Sequence, residues 1–173
     1  MKQTATTNAT AEDEIVVTVE IPRGSRNKYE YDAELEAIVL ERRLFTSTVY
    51  PADYGFVGGT LGEDGDPLDA LVLVEDPTFP GCRIRSRAVA IFRMRDENGG
   101  DDKLVCVPSG DPIWAGVRDV ADINEAFRAE IEQFFRVYKD LEGVRTHTAG
   151  FGDRSEALSV LAEARARAAD QGG

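Results

Sequence analysis

Three aspartates within six residues are the most unusual feature of the sequence. Asp64, Asp66 and Asp69 directly precede an apolar run that begins at Ala70. Carboxylates this close repel one another, so the cluster costs free energy unless a carboxyl group is protonated or a cation is bound. A solvated turn would explain an isolated Asp-Gly-Asp, but Pro67 and the apolar run stiffen this loop. We therefore favour a cation site here.

The ligand types available in the sequence restrict which cation such a site would bind. Cys82 and Cys106 have no CxxC spacing and His147 is the single histidine, so neither zinc chemistry nor a disulfide framework is expected. An EF-hand loop counted from the first aspartate fails, because Leu68 and Asp69 stand where that loop needs an acid or Asn and then Gly. Oxygen ligands without His or Cys favour magnesium, manganese or calcium.

A second acidic pair flanks a turn signal. Asp96 and Asp101 stand on either side of Asn98 and Gly99, a dipeptide typical of tight hairpins. Both carboxylates could then face the same place, and strand alternation puts Lys103 beside Asp101. Taken alone, a surface turn with an exposed ion pair explains this segment equally well.

Basic and phenolic side chains supply groups that could bind an anion. Only four of the basic residues are lysines, against sixteen arginines, and three of those lysines belong to this set. Tyr138 also continues an apolar helical stripe, and Lys139 near a helix C-terminus would favour the helix dipole, so both have a purely structural explanation. Together with the aspartates, the set describes a site for metal ions and phosphate; its members are Lys28, Arg42, Tyr50, Tyr54, Lys103, Tyr138 and Lys139.

Short strands followed by helices must position these residues. β-branched and apolar residues predict strands at 15–21, 28–31, 37–45, 70–74, 83–94 and 104–107, the second and third forming a hairpin. Apolar residues at helical spacing from Ile123 to Tyr138 predict one helix, capped by Asp122, and a second is expected over 155–169, capped by Asp153. This order indicates an α+β fold, with a strongly bent antiparallel sheet or barrel that carries helices at its edge.

Length and charge restrict the class of protein. The chain has 173 residues and a formal net charge of −12, and we expect one domain over 15–173 after a disordered, Thr-rich tail at 1–14. The acidic balance argues against nucleic acid as a partner, because phosphate backbones are bound by clustered Lys and Arg. No apolar run has the roughly 18 residues that span a bilayer, and the start lacks the apolar centre of a secretory signal. We therefore expect no membrane partner and a cytoplasmic location.

Five short motifs, spread over most of the chain, occur in a characteristic order. They are Val19-Glu20-Ile21-Pro22, Lys28-Tyr29-Glu30-Tyr31, Tyr50-Pro51-Ala52-Asp53-Tyr54-Gly55-Phe56, Asp64-Gly65-Asp66-Pro67-Leu68-Asp69 and Tyr138-Lys139-Asp140-Leu141. In this order they resemble the family I soluble inorganic pyrophosphatases, whose signature is D-x-D-P-x-D. The resemblance runs from about residue 15 to residue 151.

This resemblance implies a fold, a reaction and a cofactor. The fold would be a five-stranded OB-like antiparallel barrel with flanking C-terminal helices. The reaction would be the hydrolysis of pyrophosphate to two phosphates with Mg²⁺, for which Mn²⁺ could substitute, whereas Ca²⁺ would inhibit. A homo-oligomer, with a hexamer favoured, is the assembly that the family pattern implies.

The resemblance also implies roles for individual residues. Asp66 would be the base toward the attacking water, and Tyr54 a catalytic group that also binds substrate. The metal-binding carboxylates would be Asp64, Asp66, Asp69, Asp96 and Asp101, with Glu20 and Glu30 in an acidic outer shell. The phosphate-binding set would be Lys28, Arg42, Tyr54, Lys103, Tyr138 and Lys139.

Two other function classes are compatible with parts of the sequence. A non-catalytic acidic module that binds divalent cations would explain the aspartates, but not the lysines and tyrosines. An OB-type nucleic-acid binder would suit a barrel, but not the net charge of −12.

Overall fold

A computed structural model describes residues 14–96 and 99–172. Apart from Glu14, the predicted tail at 1–14 lies outside the described residues, and so does Asn98 of the predicted turn. The described residues form nine strands: β1 (Glu14–Ile21), β2 (Asn27–Asp32), β3 (Ala37–Arg43), β4 (Asp53–Val57), β5 (Asp69–Val72), β6 (Arg83–Asp96), β7 (Gly99–Gly100), β8 (Lys103–Pro108) and β9 (His147–Gly152).

Five of these strands close into a barrel. The order is β1-β4-β5-β8-β6, and β6 pairs with β1 to complete the ring. The β5–β8 pair is parallel and the other four are antiparallel. A closed ring with an odd number of strands cannot alternate direction at every step, so at least one pair must be parallel. The predicted five-stranded barrel is confirmed, with this one parallel pair as the difference from a purely antiparallel sheet.

The predicted hairpin forms a separate two-stranded sheet from β2 and β3. Its register pairs Lys28 with Arg42 and Tyr29 with Leu40, so Glu41 is the extra residue of a β-bulge. A bulge bends the strand that contains it and redirects neighbouring side chains. The bulge lies beside two of the predicted phosphate-binding residues, Lys28 and Arg42.

Two α-helices follow the barrel, as predicted: α1 (Glu125–Val137) and α2 (Arg154–Gln171). Asp153 caps α2 through its side chain, which accepts from the Glu156 N–H. The predicted cap of α1 is wrong, because Asn124 caps it while Asp122 forms a capping box with Asp119 at a preceding 3₁₀ turn. In the described ranges, no helix combines the length and the apolar character that crossing a bilayer requires.

The core lies inside the barrel and beneath the two helices. In β1 the alternate residues Ile15, Val17, Val19 and Ile21 are buried, which confirms the strand periodicity seen in the sequence. One cluster packs α1 against the barrel through Ile131, Phe134, Phe135 and Tyr138, and a second packs α2 through Ala157, Leu161 and Ala164. Both helices are thereby fixed to the barrel.

Candidate active site

A cleft of about 950 Å³ opens where the hairpin, the barrel and the segment after α1 meet. All but three of the predicted site residues line it: Glu20, Lys28, Glu30, Tyr54, Asp64, Asp66, Asp69, Asp96, Asp101, Tyr138 and Lys139. Of the three exceptions, Lys103 is buried beneath the cleft, Arg42 is bound to carboxylates outside it, and Tyr50 is buried in the hydrophobic core, so its role is packing. Residues that are far apart in the sequence thus converge on one concave surface.

The loop before β5 presents two of the aspartates to solvent. The Gly62 N–H donates to the Asp66 carbonyl at 2.6 Å, and the Asp66 N–H donates to the Asp64 side chain at 3.1 Å. Gly65 has a φ of +95°, which favours glycine, and a Cβ on Gly62 would lie 2.7 Å from Oδ1 of Asp64. The loop therefore requires glycine at position 65, and a side chain at position 62 would displace the Asp64 carboxylate that accepts from the Asp66 N–H.

Asp69, at the start of β5, accepts two hydrogen bonds on one oxygen. The Tyr54 hydroxyl donates to Oδ2 of Asp69 at 2.5 Å, and the Lys103 ammonium donates to the same oxygen at 2.8 Å. Lys103 also donates to Oδ1 of Asp101 at 2.7 Å. One ammonium group therefore joins the carboxylates of Asp69 and Asp101, as strand alternation predicted for Asp101.

Lys103 is a charged group in an apolar setting, with only 1% of its surface exposed. Its Nζ lies 5.4 Å from the centre of the Tyr54 ring and 5.7 Å from that of Phe135. Burial disfavours the ammonium form, but the Asp69 and Asp101 carboxylates outweigh it and raise the pKa of Lys103 above its ordinary value. The lysine therefore stays charged and offsets part of the negative charge above it.

Burial also disfavours the charged form of the acidic groups nearby, and it therefore raises their pKa values. Burial, with a further contribution from Asp69, raises the pKa of Tyr54 well above its ordinary value, so its hydroxyl keeps its proton and remains a donor. Glu20 accepts from the Tyr31 N–H at 2.8 Å. Burial nevertheless raises the pKa of Glu20 from 4.5 to about 7, with the repulsion of Asp69 and Glu30 adding to it. The pKa of Glu20 therefore lies near neutral pH, and burial raises the pKa of Asp101 above its ordinary value as well.

The wall formed after α1 carries a lysine and a tyrosine. Lys139 Nζ lies 3.8 Å from Oδ2 of Asp96 and 5.3 Å from the centre of the Tyr138 ring. Tyr138 caps the C-terminus of α1 and packs into the core, so the structural explanation of its position holds as well. The end of α1 therefore brings a cation to the carboxylate at the end of β6.

The hairpin carries its cations in contact with glutamates. Lys28 pairs with Glu30 and lies 3.8 Å from Glu41. Arg42 donates two hydrogen bonds to Glu142, from Nε to Oε1 at 3.2 Å and from Nη2 to Oε2 at 2.8 Å. Its Nη1 donates to Glu41 at 2.5 Å. The sequence motifs did not predict the roles of Glu41 and Glu142, although Glu142 directly follows the Tyr138-Lys139-Asp140-Leu141 motif.

The donor set of the cleft fits a hard divalent cation. Within the described residues, no three His, Cys, Asp or Glu side chains are gathered closely enough to hold an ion by themselves. Mg²⁺ commonly keeps several waters and uses one or two carboxylates, so such a group is not needed for it to bind. The predicted aspartates all line the same cleft and supply oxygen ligands only.

Several residues that line the cleft were absent from the sequence prediction. Arg93 on β6 and Asp102 before β8 form an ion pair at 2.6 Å. Glu163 and Arg167 of α2 line the far end. No spacing rule could have found them, because their approach depends on how α2 and the β6–β8 connection pack onto the barrel.

Comparisons with known proteins match most of this chain. The model of the inorganic pyrophosphatase family matches residues 17–169. The inorganic pyrophosphatase of Streptomyces coelicolor is 59% identical over 161 residues, covering 92% of this chain and 99% of the relative. That of Leifsonia xyli is 54% identical over 146 residues, covering 84% and 90%. The crystal structure of inorganic pyrophosphatase from Thermus thermophilus superimposes with a TM-score of 0.89 at 41% identity, covering 93% of this chain and 94% of that one.

Proposed function

The chain belongs to the inorganic pyrophosphatase family, and from that premise we propose a role for each functional residue of the cleft. The reaction is the hydrolysis of inorganic pyrophosphate to two phosphates. The observation that carries the assignment to this cleft is the convergence of aspartates, lysines and tyrosines on one concave surface. A polyanion needs cations to bind it, and a metal ion needs carboxylates to hold it.

We propose that the cofactor is Mg²⁺ and that Asp64, Asp66, Asp69, Asp96 and Asp101 would hold it, with Glu20 and Glu30 behind them. Bound there, Mg²⁺ would offset phosphate charge and lower the pKa of a water molecule. Mn²⁺ would substitute for Mg²⁺ in this site, because both accept oxygen ligands. Ca²⁺ would inhibit, because it prefers longer bonds and more ligands than Mg²⁺ does.

The protein groups then perform the proton transfer and hold the substrate. In our proposal Asp66 accepts a proton as the water oxygen bonds to one phosphorus, and the electron pair of the broken bridging P–O bond leaves with the other phosphate. Tyr54, whose hydroxyl remains protonated, donates a hydrogen bond to Asp69 in the centre of the site. Lys28, Tyr138 and Lys139 bind the phosphates from the walls of the cleft. Arg42, which is bound to Glu41 and Glu142 in this structure, would join them by exchanging a carboxylate contact for a phosphate oxygen. Lys103 acts from beneath the cleft, where it orients Asp69 and Asp101 and offsets their charge.

Phosphate release from pyrophosphate by the purified protein tests this proposal. We expect rapid release with Mg²⁺, little release in a chelator, and inhibition when Ca²⁺ replaces Mg²⁺. A non-catalytic cation-binding module is the other candidate, and no contact in the described residues favours it. Folded protein that binds Mg²⁺ but releases no phosphate under any of these conditions would support that module instead.

Replacement of Asp66 by Asn tests the assignment of the base. Removing a general base costs about 10² to 10⁴ in rate, so we expect kcat of Asp66→Asn to fall by at least about 100-fold while its Tm stays near that of the wild type. Asp76→Asn, which removes an exposed aspartate outside the cleft, is the matched control and should keep the full rate. A near-normal kcat for Asp66→Asn would reject Asp66 as the base.

We propose a single folded domain over residues 15–173, a homo-oligomer with a hexamer favoured, and a cytoplasmic location. Cys82 and Cys106 are free thiols, which is compatible with a reducing compartment. Light scattering of the purified protein measures the mass of the assembly, and a monomer at micromolar concentration would reject the oligomer.

A further inference from the structure

The pairing between β6 and β8 is interrupted beside the cleft. Regular register ends with Phe92 opposite Lys103, and resumes with Arg95 opposite Gly100 in β7. Asp101 and Asp102, in the interruption, belong to no strand. The segment that carries Asp101 therefore lacks the regular ladder that would fix its direction.

A side chain closes the gap where the ladder is broken. The Asp101 N–H donates to the Met94 carbonyl at 2.9 Å, and the Met94 N–H donates to Oδ1 of Asp102 at 3.1 Å. The Asp102 carboxylate thus accepts the hydrogen bond that a backbone carbonyl would accept in a continuous ladder. The Asp101 backbone and the Asp102 side chain are therefore both held to the same residue of β6.

Arg93 holds the second oxygen of that carboxylate. Its Nη1 donates to Oδ2 of Asp102 at 2.6 Å, and both side chains are about one-third exposed, at 32% and 30%. The other nitrogen, Nη2, lies 3.9 Å from Oε2 of Glu156 on α2. Charge-assisted bonds to both oxygens fix the carboxylate in orientation as well as in position.

Fixing Asp102 also fixes its two neighbours in sequence. Asp101 and Lys103 are joined at 2.7 Å, and Lys103 reaches Asp69 at 2.8 Å. If the 101–103 segment turned, the Asp101 carboxylate would leave both the ammonium and the cleft. We propose that Asp102, held by Arg93, is a positioning residue that aims Asp101 at the metal; this inference rests on the proposed function, in which Asp101 is a metal-binding carboxylate.

Mg²⁺ binding to the full-length protein, measured by calorimetry without pyrophosphate, tests the proposal. Loss of a group that orients a metal-binding residue costs about 10- to 100-fold in metal affinity. We expect Asp102→Ala to weaken Mg²⁺ binding about 10-fold and to raise the Mg²⁺ concentration for half-maximal activity by a similar factor, with a smaller effect on kcat at saturating Mg²⁺. Arg93→Gln, which leaves the 101–103 segment intact, should act in the same direction and serves if Asp102→Ala fails to fold.

Arg85→Gln is the matched control for Arg93→Gln. Arg85 lies on the same strand and pairs with Glu14 at 3.0 Å, but it is 77% exposed and does not line the cleft. Its replacement should leave Mg²⁺ affinity unchanged. A fall in Tm for Asp102→Ala and Arg93→Gln with wild-type Mg²⁺ affinity would overturn the proposal, because the pair would then only stabilise the fold.

A double variant separates action through Asp101 from a direct effect. In an Asp101→Asn background, Asp102→Ala should weaken Mg²⁺ binding no further, since there is no carboxylate left to aim. A full additional loss would overturn the positioning role. If Asp101→Asn alone leaves Mg²⁺ affinity unchanged, the assignment of Asp101 in the proposed function fails first and this inference fails with it.

Discussion

Lys103 shows why particular residue types occupy the cleft. The chain uses sixteen arginines and four lysines, yet Lys28, Lys103 and Lys139 all stand in or beneath the site. The ammonium of Lys103 lies near the Tyr54 and Phe135 rings, at 5.4 and 5.7 Å from their centres, while it contacts two carboxylates. A planar guanidinium is larger and donates in a fixed fork, so it would not fit that position with the same contacts. This position needs a compact cation, and that explains why residue 103 is a lysine.

Glu20 gives a pH-dependent prediction at the same scale. Its folded-state pKa of about 7 lies above the ordinary 4.5, so the folded protein binds this proton more tightly than the unfolded chain does. The stability from Glu20 is therefore fully present below pH 4.5 and is lost as the pH rises through 7. We expect Glu20→Gln, which keeps an acceptor for the Tyr31 N–H, to raise the free energy of unfolding at pH 8 by about 3 kcal/mol and to change it little at pH 4.5.

Urea unfolding at the two pH values, in metal-free buffer, measures that difference. Glu34→Gln, at an exposed glutamate outside the cleft, controls for the loss of one negative charge. Equal effects of Glu20→Gln at pH 4.5 and pH 8 would contradict the prediction.

At the scale of the elements, sequence patterns identified what local periodicity determines. The apolar stripe predicted α1, and alternation predicted β1, the hairpin and β6. Neither pattern predicted β4 or β9, in which Gly55, Gly150 and Gly152 weaken the strand signal. These two strands form because they pair with β1, β5 and β6. Their partners lie in other parts of the chain, so a local sequence pattern does not reveal them.

The residues of the candidate site divide in the same way, into those that sequence patterns predicted and those that they did not. The aspartates and lysines were identified by type and spacing, and the structure brings most of them to one cleft. The Arg93–Asp102 pair and the grip of Glu142 on Arg42 were not predicted. Each lies beside a local irregularity, an interrupted ladder in one case and a bulge in the other, and irregular backbone has no period in the sequence.

Gly55 tests the importance of the β1–β4 pairing. A Cβ at this position would lie 1.9 Å from the Thr18 carbonyl oxygen and 2.9 Å from Cα of Val19, both of which are backbone atoms that cannot move alone. We expect Gly55→Ala to lower the free energy of unfolding by about 4 kcal/mol or more, which is exceptional for one methyl group. Gly58→Ala, with no atom within 4 Å of the added Cβ, should cost far less. Similar urea midpoints for the two variants would contradict this account.

At the scale of the whole molecule, net charge and local charge act in opposite directions. The net charge of −12 repels a polyanionic substrate on average, while the cations around the cleft attract it locally. The same excess of carboxylates that would hold the cofactor also destabilises the folded chain through self-repulsion. Stability and function therefore both depend on the ionic conditions, and the two dependences can be separated in metal-free protein.

Screening by a monovalent salt should stabilise the metal-free protein. The Debye length falls from about 30 Å at 0.01 M to about 10 Å at 0.1 M and about 3 Å at 1 M, so most repulsion between surface carboxylates is removed by a few tenths molar KCl. We expect Tm in EDTA to rise by several degrees between 0.01 and 0.3 M KCl and then to flatten. A midpoint that does not change over this range would show that self-repulsion is too weak to matter. A rise that continues linearly to 2 M would instead indicate a salt effect on apolar burial, because screening is already complete at that concentration.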